Sequence, residues 1–280
     1  MTRLVSWNVN GIRACVSKGF LDWLGRARAD VVALQETRCQ LDELPAALRR
    51  MRRYRHVAWS VASSKRGYSG VALLSRAEPF RVATSLGAEE FDREGRFVLA
   101  EFESALVASV YFPKGSGTLR DNSRVPYKLA FTERLFRFME RERRRTRKPA
   151  VILGDFNVAP HPIDLARPRG NETTSGFLPE ERELLARCLG RGWIDAYRTL
   201  HPERVQYTWW SNRFGVRDKN IGWRIDHTVV SSDFLPRVRD AFILDHVRGS
   251  DHCPIGVDVD VDLSGPRVSC VTRLALPRSA

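Results

Sequence analysis

The sequence has no apolar run long enough to cross a membrane. Its 280 residues contain no stretch close to the roughly 20 consecutive apolar residues of a transmembrane helix. The first ten residues, MTRLVSWNVN, also lack a basic segment followed by about 7 to 15 apolar residues, the pattern of a secretory leader. We therefore expect no membrane association and a cytoplasmic protein, active at the bacterial nucleoid.

Cysteine is scarce and shows no functional pattern. The cysteines are scattered and none forms a C-x-x-C pair: Cys15, Cys39, Cys188, Cys253 and Cys270. This spacing favours neither a disulfide framework nor a zinc site, so we expect free thiols. The chain also shows no internal repeat, low-complexity tract or linker. Its length alone would allow one large α/β domain or two small ones.

Acidic residues are fewer than basic residues, 33 against 46. The formal net charge is +13 and the pI is near 10.1. Such charge suits a polyanionic partner, because cations that neutralise phosphates release the bound counterions. An arginine-rich solvated surface would give the same composition, so charge alone does not identify the partner.

Short apolar segments recur along most of the chain and predict β-strands. Their ranges are 4–9, 30–35, 70–75, 96–103, 105–112, 150–156, 223–231 and 254–262. The continuous segment RFVLAEFESALVASVYF predicts an antiparallel pair with a tight connection. The number of strands is too large for one small sheet, so we expect mixed sheets.

Two segments between the predicted strands have helical periodicity. Residues 127–148 end just before Pro149, have a basic C-terminal end and place apolar side chains near one face: Leu129, Phe131, Leu135, Phe138 and Met139. Residues 176–193 carry Pro179 and acidic residues early and Gly190 near the end. We expect helices covering the sheets of one catalytic domain over residues 1–263, followed by a loosely ordered tail over 264–280.

Polar residues stand where the predicted strands end or begin. They are Asn8, Asn10, Glu36, Tyr111, Asp155, Asn157, Asp226, Asp251 and His252. Because strand residues i and i+2 share a face, Asn8 with Asn10 and Asp155 with Asn157 each present two polar groups together. If the sheets align these ends, the side chains converge on one pocket.

Each of these residues also has a structural explanation. Asn and Asp commonly finish strands as turn formers, Glu36 could cap the next segment, and an isolated histidine is usually a hydrogen-bonded structural group. The recurrence of such residues at six sites favours a common function.

The chemistry that this set supports is metal-assisted phosphodiester hydrolysis. Mg²⁺ takes one or two carboxylates and completes its shell with water and phosphate oxygens, and Glu36 fits as the principal ligand. Asp155 could act as a base on water, with Asn157 orienting the water or the phosphoryl oxygen. His252 could donate to a phosphate oxygen if Asp226 holds it charged.

Ten motifs occur in family order over about residues 3–262: SWNVNGIRA, LQET, KRGYSGVALLS, EEFDREGRF, YFPKG, GDFNVAPHPIDL, GFLPEERE, YTWWSNR, KNIGWRIDH and GSDHCP. Together they resemble the exonuclease III type of apurinic/apyrimidinic (AP) endonuclease, within the endonuclease/exonuclease/phosphatase superfamily. GDFN and SDH indicate only the superfamily, which also contains secreted nucleases, sphingomyelinases and inositol polyphosphate phosphatases. NVNGIRA, QET and GWRID narrow the resemblance to the DNA-repair branch.

The resemblance implies a four-layer α/β sandwich, with two central mixed β-sheets flanked by helices and the site at one edge of the sheets. It implies that Glu36 binds Mg²⁺ or Mn²⁺, with Asn10 and Asp251 close by. The other implied roles are water activation by Asp155, its positioning by Asn8 and Asn157, a phosphate or leaving-group contact by Tyr111, and a phosphate clamp of His252 with Asp226. Whether Asp155 or His252 is the base, and whether one or two metals act, stays open.

The resemblance also implies a substrate-binding surface. Trp209, Trp223 and Ile225 match an apolar pocket for a flipped-out sugar that lacks its base. The less favoured alternative is that two tryptophans near a sheet edge are part of the core. The loop residues Asn171 and Thr174 match a DNA-backbone contact. Two positions depart from the family. Lys114 stands where relatives usually carry a neutral polar residue and adds a possible phosphate contact. His227 stands beside Asp226 where an aromatic or aliphatic residue is common, which leaves the local pKa open.

The function implied is an Mg²⁺-dependent AP endonuclease that cleaves 5′ to abasic sites and leaves a 3′-hydroxyl, with 3′-exonuclease or 3′-phosphodiesterase activity. One alternative is mainly a 3′-to-5′ exodeoxyribonuclease with weak AP endonuclease activity. Two others are a silent DNA-binding module and a phosphatase or sphingomyelinase-like enzyme. The expected partner is double-stranded DNA with abasic sites or blocked 3′ ends, bound by a monomer.

Overall fold

The strands of the fold arise from the apolar segments of the sequence. A computed structural model describes residues 1–119, 121–213 and 215–264. The strands, in chain order, are β1 (Thr2–Asn8), β2 (Val31–Gln35), β3 (His56–Ser60), β4 (Val71–Ser75), β5 (Arg81–Ala83), β6 (Phe97–Glu101), β7 (Leu106–Tyr111), β8 (Ala150–Asp155), β9 (Trp193–Asp195), β10 (Trp209–Trp210), β11 (Gly222–Trp223), β12 (Asp226–Ser231), β13 (Val238–Ile243) and β14 (Ile255–Val259). Each of the eight predicted segments contains or overlaps a strand.

Most strands form two six-stranded sheets with similar topology. The first sheet has the order β13-β14-β1-β2-β4-β3, and the second has the order β5-β6-β7-β8-β12-β9. Each contains one parallel pair, β1 with β2 and β7 with β8, and its other pairs are antiparallel. The predictions of mixed sheets and of an antiparallel β6–β7 pair are confirmed.

The two sheets pack face to face around one apolar core. Leu4, Ala33 and Leu73 of the first sheet belong to the same buried cluster as Val107 and Val151 of the second. Full burial of a side chain such as leucine contributes about 1.5–3 kcal/mol relative to exposure. This core therefore fixes how the two sheets, and the loops at their edges, stand relative to each other.

Most of the helices cover the outer faces of the two sheets. The helices are α1 (Ile12–Ser17), α2 (Phe20–Arg26), α3 (Ala46–Arg49), α4 (Glu89–Asp92), α5 (Val125–Thr146), α6 (Pro179–Leu189) and α7 (Ala196–Leu200). The short α7 is the exception, because its Ala196 and Tyr197 belong to the core between the sheets. The first two helices pack on the first sheet and the longer α5 and α6 on the second. The result is a four-layer α/β sandwich, as predicted.

The buried face of α5 differs in one residue from the prediction. Phe131, Leu135 and Met139 are fully buried as expected, but Leu129 is only half-buried. Its neighbour Lys128 is buried instead, with 1% of the residue exposed. A charged side chain thus occupies a position in the apolar core, which requires compensating polar partners.

Two predictions concern the ends and thiols of the chain. The predicted tail over 264–280 lies outside the described residues except for Ser264, so its boundary stays a prediction. Cys15, Cys39, Cys188 and Cys253 are free and buried, and Cys270 lies outside the described residues. Within the described ranges, no helix combines the length and apolarity that a bilayer span requires.

Candidate active site

The predicted polar residues meet at one edge of the two sheets because of strand direction. In the first sheet β1 and β2 run parallel, so Asn8 pairs with Gln35 and the two strands end together. In the second sheet β7 and β8 run parallel and Tyr111 pairs with Asp155. The antiparallel strand β12 begins at the same edge, where Asp226 pairs with Asp155.

Asn8 joins the two sheets at this edge. Its side-chain Nδ2 donates to Glu36 Oε1 at 3.0 Å and to Asp155 Oδ2 at 2.8 Å. Its Oδ1 accepts from the backbone N–H of Asn10 at 3.0 Å. Asn8 has no exposed surface, so a single amide fixes the separation of two carboxylates that come from different sheets.

The backbone bends sharply where the strands deliver these side chains. Asn10, Glu36 and Asn157 have φ values of 44°, 49° and 52°, in the left-handed region that non-glycine residues seldom adopt. Asparagine tolerates this conformation best, whereas it is unusual for glutamate. Such outliers cluster at functional sites, where surrounding structure holds them in place.

The acidic and imidazole groups form one compact cluster. Glu36, Asp155 and His252 each offer a ligand atom, and these atoms all lie within 4.8 Å of one another. All three residues are buried. Two carboxylates with one imidazole are a donor set that fits a divalent cation, and the carboxylate oxygens are the ligands that Mg²⁺ and Mn²⁺ favour.

Glu36 is held ionised by two cations. Arg38 donates to its Oε2 through Nε at 3.0 Å and also through Nη2, and Lys114 Nζ lies 3.8 Å from its Oε1. Burial opposes ionisation of Glu36, but Lys114 and Arg38 outweigh it and lower the pKa to about 2. The carboxylate is therefore charged at all working pH values.

His252 is paired with an acid on one side and faces another. Its Nδ1 lies 2.8 Å from Asp226 Oδ2, and its Nε2 lies 3.8 Å from Asp155 Oδ2. Burial disfavours the charged imidazole, but the carboxylate of Asp226 outweighs it and raises the pKa of His252 to about 9. The imidazole is therefore a cation at neutral pH that can donate from Nε2.

Asp155 is the most perturbed acid in the cluster. It is fully buried, and this burial together with the charge of Asp226 raises its pKa to about 7. Its Oδ1 accepts from the backbone N–H of Asn157 at 2.8 Å, and its Oδ2 accepts from Asn8. A carboxylate that is fixed in position and near its pKa at neutral pH can serve as a general base.

Tyr111 is buried beside this cluster with 5% of its surface exposed. Burial and the charge of Glu36 raise its pKa well above the usual value, so the phenol stays protonated and can donate. The guanidinium of Arg96 lies over its ring, 4.6 Å from the centroid, and donates to the Tyr111 carbonyl oxygen. Sequence analysis missed this buried arginine, whose signal is its place just before an apolar strand.

Asn10 and Asp251 form a second pair beside the cluster. Asn10 Nδ2 donates to Asp251 Oδ1 at 2.8 Å, and Trp209 Nε1 donates to Asp251 Oδ2 at 3.1 Å. Among the described residues, the His, Cys, Asp and Glu side chains whose ligand atoms lie within 4.8 Å of one another are Glu36, Asp155 and His252, so Asp251 stands next to that set and holds Asn10 beside it. Arg38, which contacts Glu36 directly, was not predicted, although it lies two residues after it.

An apolar cavity opens beside His252. It has a volume of about 220 Å³ and is lined by Trp209, Trp223, Ile225, Lys114, Ser116, Asn157, Thr174, Ser175, Gly176 and His252. Trp209 and Trp223 pair across the ribbon of β10 and β11 with their ring centroids 6.5 Å apart. Both rings are partly exposed, whereas Trp210 is buried, so the first two wall a cavity and do not belong to the main core.

The remaining predicted positions lie around this cavity. Thr174 lines it, whereas Asn171 lies outside its lining, on the preceding turn, where its Nδ2 donates to the Arg167 carbonyl oxygen. His227 is buried and hydrogen-bonded on both ring nitrogens, to Arg224 Nη1 at 2.9 Å and to the Val158 carbonyl oxygen at 2.8 Å. It is therefore a structural histidine that points away from His252.

Two facing mixed sheets with a buried acid, amide and imidazole cluster at one edge define an α/β-sandwich hydrolase suited to a divalent cation. Residues 5–252 match the Endonuclease/Exonuclease/phosphatase family, and the chain belongs to this family. The predicted family is thereby confirmed.

The chain is similar to several repair nucleases. It is 42% identical to the DNA repair nuclease of Danio rerio over 255 residues, covering 90% of this chain and 80% of the relative. It is 40% identical to an exodeoxyribonuclease of Bacillus subtilis over 265 residues, covering 92% and 100%. Among solved structures, an AP endonuclease from Archaeoglobus fulgidus superposes with a TM-score of 0.81 at 29% identity, covering 93% of this chain and 100% of that one.

Proposed function

We propose that this protein is a DNA-repair phosphodiesterase, an AP endonuclease that uses Mg²⁺ or Mn²⁺ to cleave the backbone 5′ to an abasic site and leave a 3′-hydroxyl. Activity on blocked or recessed 3′ ends accompanies it. The observation that carries this proposal is the buried cluster of Glu36, Asp155 and His252 next to a small cavity walled by Trp209 and Trp223. The relatives named as repair nucleases and AP endonucleases support it.

The proposed chemistry assigns the proton transfer to Asp155. Both of its oxygens accept hydrogen bonds, one from the Asn8 side chain and one from the backbone N–H of Asn157. The carboxylate therefore has one orientation, from which it can take a proton from the attacking water. The oxygen of that water bonds to phosphorus while the bond from phosphorus to O3′ breaks, and O3′ takes up a proton from the Tyr111 phenol or from solvent. The products are a 3′-hydroxyl and a 5′-phosphate on the abasic residue.

Two donors are placed for the charge that develops on the phosphate. The Nε2 proton of His252 can reach a non-bridging oxygen, because Asp226 keeps the imidazole charged and oriented through Nδ1. The protonated phenol of Tyr111 can donate to a phosphate or leaving oxygen. A divalent cation held by Glu36, with Asn10 and Asp251 close by, supplies Lewis-acid polarisation of the phosphoryl group when bound.

The cavity accounts for selection of abasic sites. A cavity of about 220 Å³ is large enough to take a deoxyribose that is rotated out of the duplex. Its walls are apolar, from Trp209, Trp223 and Ile225, and suit the hydrophobic face of a sugar. A nucleotide without a base is already unstacked and is cheap to rotate out of the duplex.

A competing function is mainly 3′-to-5′ exonuclease activity. The Bacillus subtilis relative is named an exodeoxyribonuclease, and the same catalytic cluster would serve a terminal phosphodiester. This alternative is not better supported than the first. A silent DNA-binding module would be expected to have lost an acid or the histidine, whereas Glu36, Asp155 and His252 are present and converge.

We also propose that the enzyme acts as a monomer on nucleoid DNA in the cytoplasm. Every side chain of the proposed site comes from one chain, so the chemistry does not require a second copy. The net charge of +13 supports binding to DNA.

The decisive experiment uses a duplex oligonucleotide with one tetrahydrofuran abasic analogue. The purified protein should nick the analogue strand on its 5′ side with Mg²⁺ or Mn²⁺ and leave it intact with EDTA. A duplex with a recessed 3′ end, assayed in parallel, measures the exonuclease alternative. An intact abasic substrate with either metal, together with rapid digestion of the recessed end, would replace the endonuclease assignment by the exonuclease one.

A further inference from the structure

Lys128 is a buried cation of α5 that no step of the proposed reaction uses. Its side chain is 1% exposed, and the side chain of its partner Glu181 has no exposed surface. Lys128 Nζ donates to Glu181 Oε1 at 2.7 Å and to the backbone carbonyl oxygen of Asn157 at 2.7 Å. A buried ammonium is costly unless it is paired in this way. One of its two acceptors belongs to a residue of the proposed active site.

Glu181 connects the same ion pair to the wall of the cavity. It lies in the first turn of α6, and its carboxylate accepts from Ser175 Oγ at 2.9 Å, from the Gly176 N–H and from the Leu178 N–H at 3.3 Å. Negative charge is favourable at a helix N-terminus. The carboxylate thus fixes the segment 175–178 by hydrogen bonds, and the first two residues of this segment line the cavity.

This segment contacts both the catalytic loop and a tryptophan of the cavity. Gly176 has a φ of 98°, and its carbonyl oxygen accepts from the Ala159 N–H at 2.8 Å. A Cβ on Gly176 would lie 3.0 Å from the Asn157 carbonyl oxygen and 3.4 Å from Trp223 Cζ3. The two ends of the ion pair therefore hold two pieces of backbone that touch each other.

We infer that Lys128 and Glu181 are positioning residues, which set the place of Asn157 against the abasic-site cavity. This inference rests on the proposed function. Lys128 holds the carbonyl of Asn157 while the N–H of the same residue orients Asp155. Glu181 holds the segment 175–178 against Trp223. Neither side chain touches DNA or the reacting atoms.

The test compares Lys128→Met with the wild-type enzyme on the tetrahydrofuran duplex. The variant should lose about tenfold to a hundredfold in kcat, because a displacement of about 1 Å at a catalytic group has that effect, while KM changes less than twofold. Its preference for the abasic analogue over an intact nucleotide should also fall. Lys128→Arg keeps the charge and should recover most of the kcat.

Arg143→Met is the matched control. Arg143 is on the same helix and binds Asp233 at 3.0 Å, away from the cavity, so its removal should leave kcat within twofold of wild type. If Lys128→Met does not fold, the double variant Lys128→Met with Glu181→Gln, which leaves no unpaired buried charge, is measured in its place. A folded variant with wild-type kcat and unchanged lesion preference would overturn the inference. Wild-type protein that does not nick the analogue would instead overturn the proposed function.

Discussion

The His252 imidazole stands between the carboxylates of Asp226 and Asp155, with Nδ1 2.8 Å from the first and Nε2 3.8 Å from the second. His252 precedes a strand of the first sheet, whereas both acids belong to strands of the second. The contact therefore exists only when the two sheets are aligned. One carboxylate keeps the imidazole charged, and its Nε2–H is directed toward the second. That N–H is therefore placed to donate to a phosphate oxygen at the site.

Replacement of the Asp155 carboxylate tests its role as the base. Asp155→Asn should reduce the rate of abasic-site cleavage by about a hundredfold to ten-thousandfold, because it removes the group that accepts the proton. DNA binding should change little, as measured by fluorescence anisotropy with metal omitted. Asp258→Asn, at a buried aspartate of β14 paired with Arg3 of the neighbouring strand β1, serves as the control. A near-normal rate for Asp155→Asn would remove this residue from the mechanism.

Removal of a cavity wall should reduce the preference for abasic DNA more than it reduces the rate of cleavage of undamaged DNA. Trp223→Ala should lower the ratio of abasic to undamaged cleavage by about tenfold, because the sugar loses an aromatic wall and a loss of about 1.4 kcal/mol corresponds to a factor of ten. The ratio is measured from kcat/KM on matched duplexes. Trp59→Ala removes a partly buried tryptophan on β3, outside the cavity lining, and should leave the ratio unchanged. Equal ratios for both variants would reject the cavity as the site of recognition.

Metal binding should depend on Glu36 directly. Glu36→Gln should weaken Mn²⁺ binding to the DNA-free protein by at least tenfold, because the charged ligand becomes a neutral amide. Electron paramagnetic resonance of free Mn²⁺ measures this without any enzymatic assay. Glu43→Gln, at an acid paired with Arg66 on the surface, should bind Mn²⁺ as wild type does. Similar affinities for both variants would place the ion elsewhere.

The exposed Lys114 should report contact with the DNA backbone. Its side chain is half exposed and lines the cavity, with Nζ 3.8 Å from Glu36 Oε1. Lys114→Asn should reduce the slope of log K against log salt by about 0.9, the value for one lost phosphate contact. Lys148→Asn removes a lysine that binds Glu101 and the Phe102 carbonyl oxygen, at the opposite end of β7, and should not change the slope. An unaltered slope for Lys114→Asn would show that Lys114 makes no phosphate contact.

The ion pairs around the buried Arg224 should make stability fall in acid. Asp195 Oδ2 lies 2.8 Å from Arg224 Nη1, and although burial opposes its ionisation, Arg224 outweighs this and lowers its pKa. An aspartate whose pKa is lower in the folded state stabilises the fold fully above its unfolded pKa of about 3.9. This contribution is lost as the pH falls through the folded pKa.

Asp195→Asn should therefore cost about 3–5 kcal/mol at pH 7, the range for breaking a buried pair, and progressively less below pH 4. Urea unfolding of both proteins from pH 7 to pH 3 measures the difference. A difference that stays constant over this range would mean that the charge of Asp195 is not what stabilises the fold.

The sequence revealed the central strands because these are buried on both faces. β2, β7 and β8 are buried along their whole length and are mostly apolar in sequence. The edge strands β3 and β5 were not predicted, because their residues are mostly partly exposed and show no such run. Pairing to an inner neighbour, which the local sequence does not show, makes them strands.

The candidate site was predictable where its residues end strands, as with Glu36 and Asp155. The supporting residues were not, because they act through partners far along the chain. Lys128 reaches Asn157 across 29 positions and Glu181 across 53. Its spacing with Phe131 and Leu135 placed it on the buried face of α5, which was the only local signal.

Neither six-stranded sheet supplies all of the proposed catalytic residues. The first contributes Asn8, Glu36 and His252, and the second contributes Tyr111, Asp155 and Asp226. The set is therefore complete only when the two sheets pack against each other. Because the first sheet takes strands from both ends of the chain, a fragment that ends before residue 252 lacks His252 and cannot complete the site.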